Sequence, residues 1–320
     1  MRDGSLAAFH DLEPRVEGFR DAVLAGLERQ PKEIPCRFFY DEVGARLFDA
    51  ICDLPEYYPT RTELALLTRH AQEIAGMLGP CAQLVEFGSG SGRKVRLLLD
   101  ALEEPACYVA IDIAREHLLA ASDDLAAQFP KVAVAAICAD YTQPFALPAL
   151  RRSGKRLGFF PDSTIGNFTP PEAATFLIGC RRLLGPGAEM LIGVDLKKDP
   201  AILHAAYNDA AGVTAAFNLN LLTRINRELA GDFDVGKFAH VALYNPVHGR
   251  IEMHLESQET QSVSVAGKRF QFARIERIHT ENSYKYGIAE FHEVAAAAGF
   301  RPAAVWTDPD RLFSLHYLAC

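Results

Sequence analysis

A chain of 320 residues has room for one large domain or two ordinary ones, and 49% hydrophobic with 23% charged residues is the composition of a globular protein in water. The net charge of −8 argues against a nucleic-acid partner, which usually needs a basic face, and no apolar run is long enough to span a bilayer. Seven cysteines without a C-x-x-C pair suggest neither a disulfide framework nor a zinc site, the ten histidines show no H-x-x-x-H pair, and the N-terminal segment lacks a signal-peptide core, so a reduced cytoplasm is the expected setting. The number of copies is not fixed by the sequence, and a monomer is compatible with it.

From Leu12 to Arg29 the apolar residues recur at helical spacing. Residues 36–61 are dense in aromatics and end in a proline-bracketed tyrosine pair, and a helix is expected over about 62–78. Strands then alternate with helices: 84–87, 106–113, 132–139, 156–161 and 189–196 read as strands, the pattern of a doubly wound parallel sheet. Residues 200–229 are helical and rich in Asn and Ala. From 238 to about 278 short alternating strands separated by Gly, Asn and Pro turns predict an antiparallel meander, a different architecture inserted into the first. A helix after Tyr286 and strands near 303–306 and 312–318 return to the first sheet and bring it to seven strands. The expected division is therefore 62–199 with 287–320 as one domain and 1–61 with 200–286 as an accessory α+β domain.

The segment from Leu84 to Leu99 is a strand, a glycine-rich turn led by Glu86, and a helix. Gly88, Gly90 and Gly92 have no Cβ to hold a ligand off the backbone, and the following helix turns its N-terminus toward that ligand. A dinucleotide fingerprint wants Gly or Ala at position 93, which is Arg. The next two strands end in Asp112, placed to accept from a ribose diol, and in Asp140-Tyr141, where a carboxylate can accept from an adenine amino group beside a packing ring. Each acid alone is more often a helix cap or a solvated strand end. Three consecutive strand ends with suitable groups read as a nucleoside site, and the acidic-x-Gly-x-Gly-x-Gly form resembles the first motif of S-adenosylmethionine-dependent methyltransferases.

Four further segments narrow the resemblance: Phe39-Tyr40-Asp41 with Leu54-Pro55-Glu56-Tyr57-Tyr58-Pro59-Thr60-Arg61, Ser163-Thr164-Ile165-Gly166-Asn167-Phe168-Thr169-Pro170, the stretch from Tyr207 to Asn218, and Thr280-Glu281-Asn282-Ser283-Tyr284-Lys285-Tyr286. With the glycine turn they resemble the histidine-specific Nα-methyltransferases of ergothioneine biosynthesis, which convert L-histidine to its trimethylammonium betaine, hercynine. The resemblance runs from about residue 36 to the C-terminus. It implies a class I methyltransferase fold with an inserted accessory domain, S-adenosylmethionine as methyl donor, no metal, and a small amino acid as the partner. It also implies Gly88 and Lys94 at the methionine end of the donor, Asp112 at the ribose and Asp140 with Tyr141 at the adenine. For the amino acid it implies Tyr57, Asn167 and Tyr207 around the α-amine and carboxylate as the catalytic set, with Tyr40 nearby. Glu281 and Ser283 fall to the imidazole, and Met253 becomes an apolar wall beside the ring.

The residue types suit the task. Methyl transfer needs a neutral amine aimed at the methyl carbon, so the work is positioning and desolvation. An Asn amide both accepts and donates, and tyrosines are rigid polar anchors whose rings can line a growing ammonium. A carboxylate and a hydroxyl on one strand face can grip two ring nitrogens and leave unpaired groups against a phenyl ring. No dedicated general base is evident. Plainer readings stand beside these: packing for Tyr57 and Tyr207, a turn for Asn167, core for Met253, a solvated edge strand for Glu281 and Ser283. One position departs from the family, which often has Gly before Ser-Thr-Ile-Gly-Asn where this chain has Asp162. Two alternatives therefore stay open: the same chemistry on another aromatic amino acid or a histidine derivative, and a non-catalytic protein that binds nucleoside and amino acid.

Overall fold

The computed structural model describes residues 6–12, 17–90, 92–147 and 154–320; Ser91 of the glycine turn and residues 1–5 and 13–16 of the N-terminal segment lie outside the described residues. In chain order the first elements are β1 (Ala8–Asp11), α1 (Glu17–Glu28), β2 (Lys32–Glu33), α2 (Glu42–Cys52) and α3 (Tyr58–Leu78). Then come β3 (Gln83–Phe87), α4 (Arg93–Ala101), β4 (Cys107–Asp112), α5 (Arg115–Gln128), β5 (Ala133–Cys138), β6 (Arg156–Phe160), α6 (Pro170–Leu184) and β7 (Glu189–Asp195). Helices α7 (Pro200–Tyr207) and α8 (Val213–Leu229) precede β8 (Phe238–Asn245), β9 (Arg250–Ser257), β10 (Gln261–Val265), β11 (Lys268–Phe272) and β12 (Arg277–Tyr284). The chain closes with α9 (Ile288–Ala297), β13 (Arg301–Thr307) and β14 (Phe313–Ala319).

Two compact units result, one of Met1–Pro14, Pro59–Lys197 and Lys285–Cys320, the other of Arg15–Tyr58 and Lys198–Tyr284. The first is built on a sheet in the order β1-β5-β4-β3-β6-β7-β14-β13, parallel from β1 through β7 and antiparallel at β14 and β13. Strands β3, β5 and β7 are buried from end to end, which is why they read as unbroken apolar runs rather than alternating ones. Chain order reverses at β3, which has β4 on one side and β6 on the other, so the crevice for a ligand opens at its carboxyl end, where the glycine turn lies. The sheet has eight strands where the sequence predicts seven, because Ala8–Asp11 adds a parallel edge strand along Ala135–Cys138.

The second unit holds a four-stranded sheet, β2-β12-β9-β8, and the β10-β11 hairpin. The region is therefore not a simple meander: β10 and β11 leave the sheet as a closed pair and β12 returns beside β9. Ala266 and Gly267 both take positive φ, the two-residue turn that matches strand twist, and Val263, Val265, Phe270 and Phe272 bury one face of the hairpin. The predicted helical stretch 200–229 is two helices. Gly212 at φ +73 breaks it, and the Asp209 carboxylate caps α8 by accepting from the Val213 and Thr214 N–H groups at 2.8 Å each. Helix α8 then buries Phe217, Leu221, Ile225 and Leu229 in one stripe.

Candidate functional site

In the first unit, Gly88, Gly90 and Gly92 all take positive φ, at +75, +47 and +66, and a Cβ on Gly88 would lie 3.8 Å from the Tyr141 ring. A Cβ on Gly90 would meet nothing within 4 Å, so the turn borders open space. The Gly90 N–H donates to Asp112 Oδ2 at 3.1 Å and the Ala114 N–H to Oδ1 at 2.9 Å, which fixes the Asp112 carboxylate at the end of β4 with lone pairs to spare. Past β5, Asp140 accepts from the backbone and hydroxyl of Thr142, and the Tyr141 ring packs edge-on against Phe87, Phe160 and Phe176. Glu86 does not join this row: it is buried and accepts the Tyr108 hydroxyl, and burial pushes its carboxyl well above the usual range.

Lys94, on the first turn of α4, is buried between Glu63 of α3 and Asp162, paired with both. Burial pushes Glu63 up to about 7 against the pull of the Lys94 ammonium. For Lys94 burial opposes the charge, and the carboxylates of Asp162 and Glu63 outweigh it, so the ammonium persists well above the usual lysine range. The Asp162 N–H also donates to Glu63, at 2.9 Å. Asp162 and Ser163 are consecutive residues at φ +65 and +54, the left-handed region where glycine is at ease. A glycine would sit at position 162 without strain, and this chain makes the turn there with a carboxylate that reaches Lys94. Gly193 of β7 completes the cluster: a Cβ there would lie 1.9 Å from Glu63 Oε1. Beyond Asp162, Ser163 accepts the Asp195 N–H at 2.9 Å, and a 3₁₀ turn over Thr164–Asn167 leaves Asn167 half-buried ahead of α6.

In the second unit, Tyr40, Phe48, Tyr57, Tyr207 and Phe217 form a chain of ring contacts with centroids 5.7 to 6.4 Å apart, mostly edge-on. The Tyr207 hydroxyl donates to Ser283 Oγ at 2.8 Å. On β12, Glu281 stands opposite Met253 and Ser283 opposite Ile251, so these four share a sheet face, while Asn282 stands opposite Glu252 on the other. A β-bulge between His279 and Glu281 makes this possible. Ile278 is opposite Leu255 on the same inner face, and strict alternation from Ile278 would have turned Glu281 and Ser283 outward. The structure thus gathers Tyr40, Tyr57, Tyr207, Met253, Glu281 and Ser283 in one unit, and Gly88, Lys94, Asp112, Asp140, Tyr141 and Asn167 in the other. Among the described residues no group of three or more His, Cys, Asp or Glu could hold a metal ion, and no helix is long and apolar enough to cross a membrane.

The model of one family, described as histidine-specific methyltransferase, SAM-dependent, matches residues 19–320. The chain belongs to that family. It is 42% identical to the histidine N-alpha-methyltransferase of Mycolicibacterium smegmatis over 97% of this chain and 98% of that protein, and 41% identical to the protein of that name from Mycobacterium tuberculosis, over 94% of each. It is also 35% identical to ergothioneine biosynthesis protein 1 of Neurospora crassa, over 90% of this chain and 33% of that longer protein.

For a histidine-specific methyltransferase, the open glycine turn, the fixed Asp112 carboxylate and the buried Lys94 cation fit S-adenosylmethionine, whose diol and carboxylate want an acceptor and a cation respectively. Sequence reasoning did not single out Glu63, Phe48, Asn218 or Thr280. Phe48 lies in the aromatic-rich stretch and could have been found there; Glu63 looks in sequence like any surface acid of a long helix, and its burial is set by β7.

Proposed function

We propose that this methyltransferase trimethylates the α-nitrogen of free L-histidine, giving hercynine as a step of ergothioneine biosynthesis. The observation that carries the reading is the inner face of β9 and β12, where a carboxylate and a hydroxyl two residues apart stand beside Met253 and within reach of Tyr207. Glu281 accepts one imidazole N–H and Ser283 serves the other ring nitrogen, with Met253 as the apolar wall. A phenyl ring would leave both polar groups unpaired, a discrimination that hydrogen-bonding sites make strongly.

The first unit takes the donor, and Arg15–Tyr58 with Lys198–Tyr284 read the amino acid. Bound S-adenosylmethionine supplies a methyl carbon on a sulfonium, whose C–S electron pair stays with sulfur as the new N–C bond forms. Lys94 and the Gly88 turn hold its methionine end, Asp112 its ribose, and Asp140 with Tyr141 its adenine. Tyr57 and Tyr207 orient the α-amine and carboxylate; the Asn167 side chain has the chemistry for the same groups, its carbonyl able to accept from an amine and its amide to donate to a carboxylate. Tyr40 and Tyr57 present ring faces to the ammonium as it gains methyl groups. Each proton lost from nitrogen passes to solvent. The proposed setting is the cytoplasm.

The test is mass spectrometry of the purified protein incubated with S-adenosylmethionine and the twenty amino acids. Addition of three methyl groups to histidine alone is expected. A methylated product from a different amino acid would overturn the substrate, and none at all would overturn the reaction.

A further inference from the structure

Helix α8 buries an amide where its stripe calls for an apolar side chain: Asn218, wholly buried between the Phe217 and Leu221–Leu222 positions. A buried amide is costly unless its hydrogen bonds are made. Asn218 Nδ2 donates to the His254 carbonyl at 3.0 Å and lies 2.9 Å from His240 Nδ1. On the other ring nitrogen, His240 Nε2 lies 2.9 Å from the Tyr207 carbonyl, which can only accept. The proton is therefore on Nε2, and Nδ1 accepts from Asn218. Asn218 Oδ1 accepts from the Thr280 hydroxyl at 2.8 Å, and that hydroxyl also reaches the Met253 carbonyl at 3.1 Å.

Thr280 is the extra residue of the β12 bulge. Beyond it Glu281 to Tyr284 pair with β9, and Tyr207 and Arg250 bond the Ser283 and Tyr284 side chains; the extra residue itself is tied to helix α8 through its own hydroxyl and Asn218. If the bulge relaxed into regular pairing, Glu281 and Ser283 would leave the inner face and Asn282 would enter it.

We propose that Asn218 is a positioning residue for amino-acid recognition: one amide clamps the Thr280 bulge that aims Glu281 and Ser283 and, through His240, anchors the backbone of Tyr207. The inference rests on the reading of Glu281, Ser283 and Tyr207 as substrate contacts. Its test measures histidine KM and the Kd of S-adenosylhomocysteine for the full chain with Asn218→Ala, Thr280→Val, Thr280→Ser and Glu281→Gln. Asn218→Ala and Thr280→Val should each raise histidine KM about tenfold or more with S-adenosylhomocysteine binding held within about twofold, and Thr280→Ser, which keeps the hydroxyl, should recover most of that loss. An unchanged KM, or a parallel loss of S-adenosylhomocysteine binding, overturns the proposal. Should Asn218→Ala not fold, the Thr280 pair decides alone. If Glu281→Gln raises KM and the Asn218 and Thr280 variants do not, only this inference falls; if Glu281→Gln leaves KM unchanged, the ring assignment falls and this inference with it.

Discussion

The two units offer their ligands different materials. In the first, the groups proposed to meet the ligand are a glycine turn, a buried ammonium between two carboxylates, and acids fixed at strand ends. In the second they are a chain of rings and a strand face whose register depends on a bulge. Charge and backbone act through fixed points, so a single substitution removes a function outright. A face acts through alignment, so a residue that touches no ligand can degrade it by degrees.

That contrast can be broken most directly at Lys94. Lys94→Met leaves Glu63 and Asp162 facing each other without a counter-charge, a change that costs about 3–5 kcal/mol for a buried pair. S-adenosylhomocysteine affinity should fall at least about a hundredfold and the melting temperature should drop, while the amides of β9 and β12 keep their hydrogen-exchange protection. Equal loss of protection in β9 and β12 would show that the units do not respond separately.

A smaller effect sharpens the comparison through acid. Each unit holds a histidine whose charge is strongly suppressed: burial, then His292, pushes His316 down to about 3, and burial, then His279, pushes His254 down to about 4. Both stay neutral in the fold and take a proton when unfolded below about pH 6.5, so stability is full above that pH and is lost as pH falls toward the folded values. Between pH 6.5 and 5 a site like His316 loses roughly 2 kcal/mol. Thermal melts should show the loss, and His316→Asn should flatten the pH dependence more than His254→Gln does. The reverse order would place the acid-sensitive core in the second unit.

The smallest change is expected at Asp162. Asp162→Gly relieves a left-handed backbone and removes one of the two carboxylates on Lys94. Calorimetry should find S-adenosylhomocysteine bound a few-fold more tightly. Weaker binding would mean that Asp162 supports Lys94 rather than competing for it.

Much of the first unit was legible because its strands are buried on both faces and its turn is marked by three glycines in five residues. Strand β1 was not, since four residues of mixed polarity and partial exposure leave no periodic signal. In the second unit the strands of β8 and β9 showed in their alternation, whereas the departure of β10 and β11 and the return of β12 are choices of partner, which composition does not record. The bulge at Thr280 is likewise invisible: an extra residue in a strand carries no compositional mark. The pairing of Glu281 with Ser283 on one face was readable from their spacing, but which face they occupy depends on that bulge. At position 162 the sequence shows a carboxylate, and the left-handed backbone angle that strains it is visible only in the structure.

Gly193 has a consequence for how this protein can change. The space where its side chain would stand is taken by the Glu63 carboxylate, which Lys94 and the Asp162 backbone hold in place. Neither residue can therefore drift alone: any larger residue at 193 evicts the acid, and a shorter residue at 63 leaves a void beside a bare strand. Two positions far apart in the chain behave as a single inherited character, and an engineer who alters one must rewrite the other in the same step.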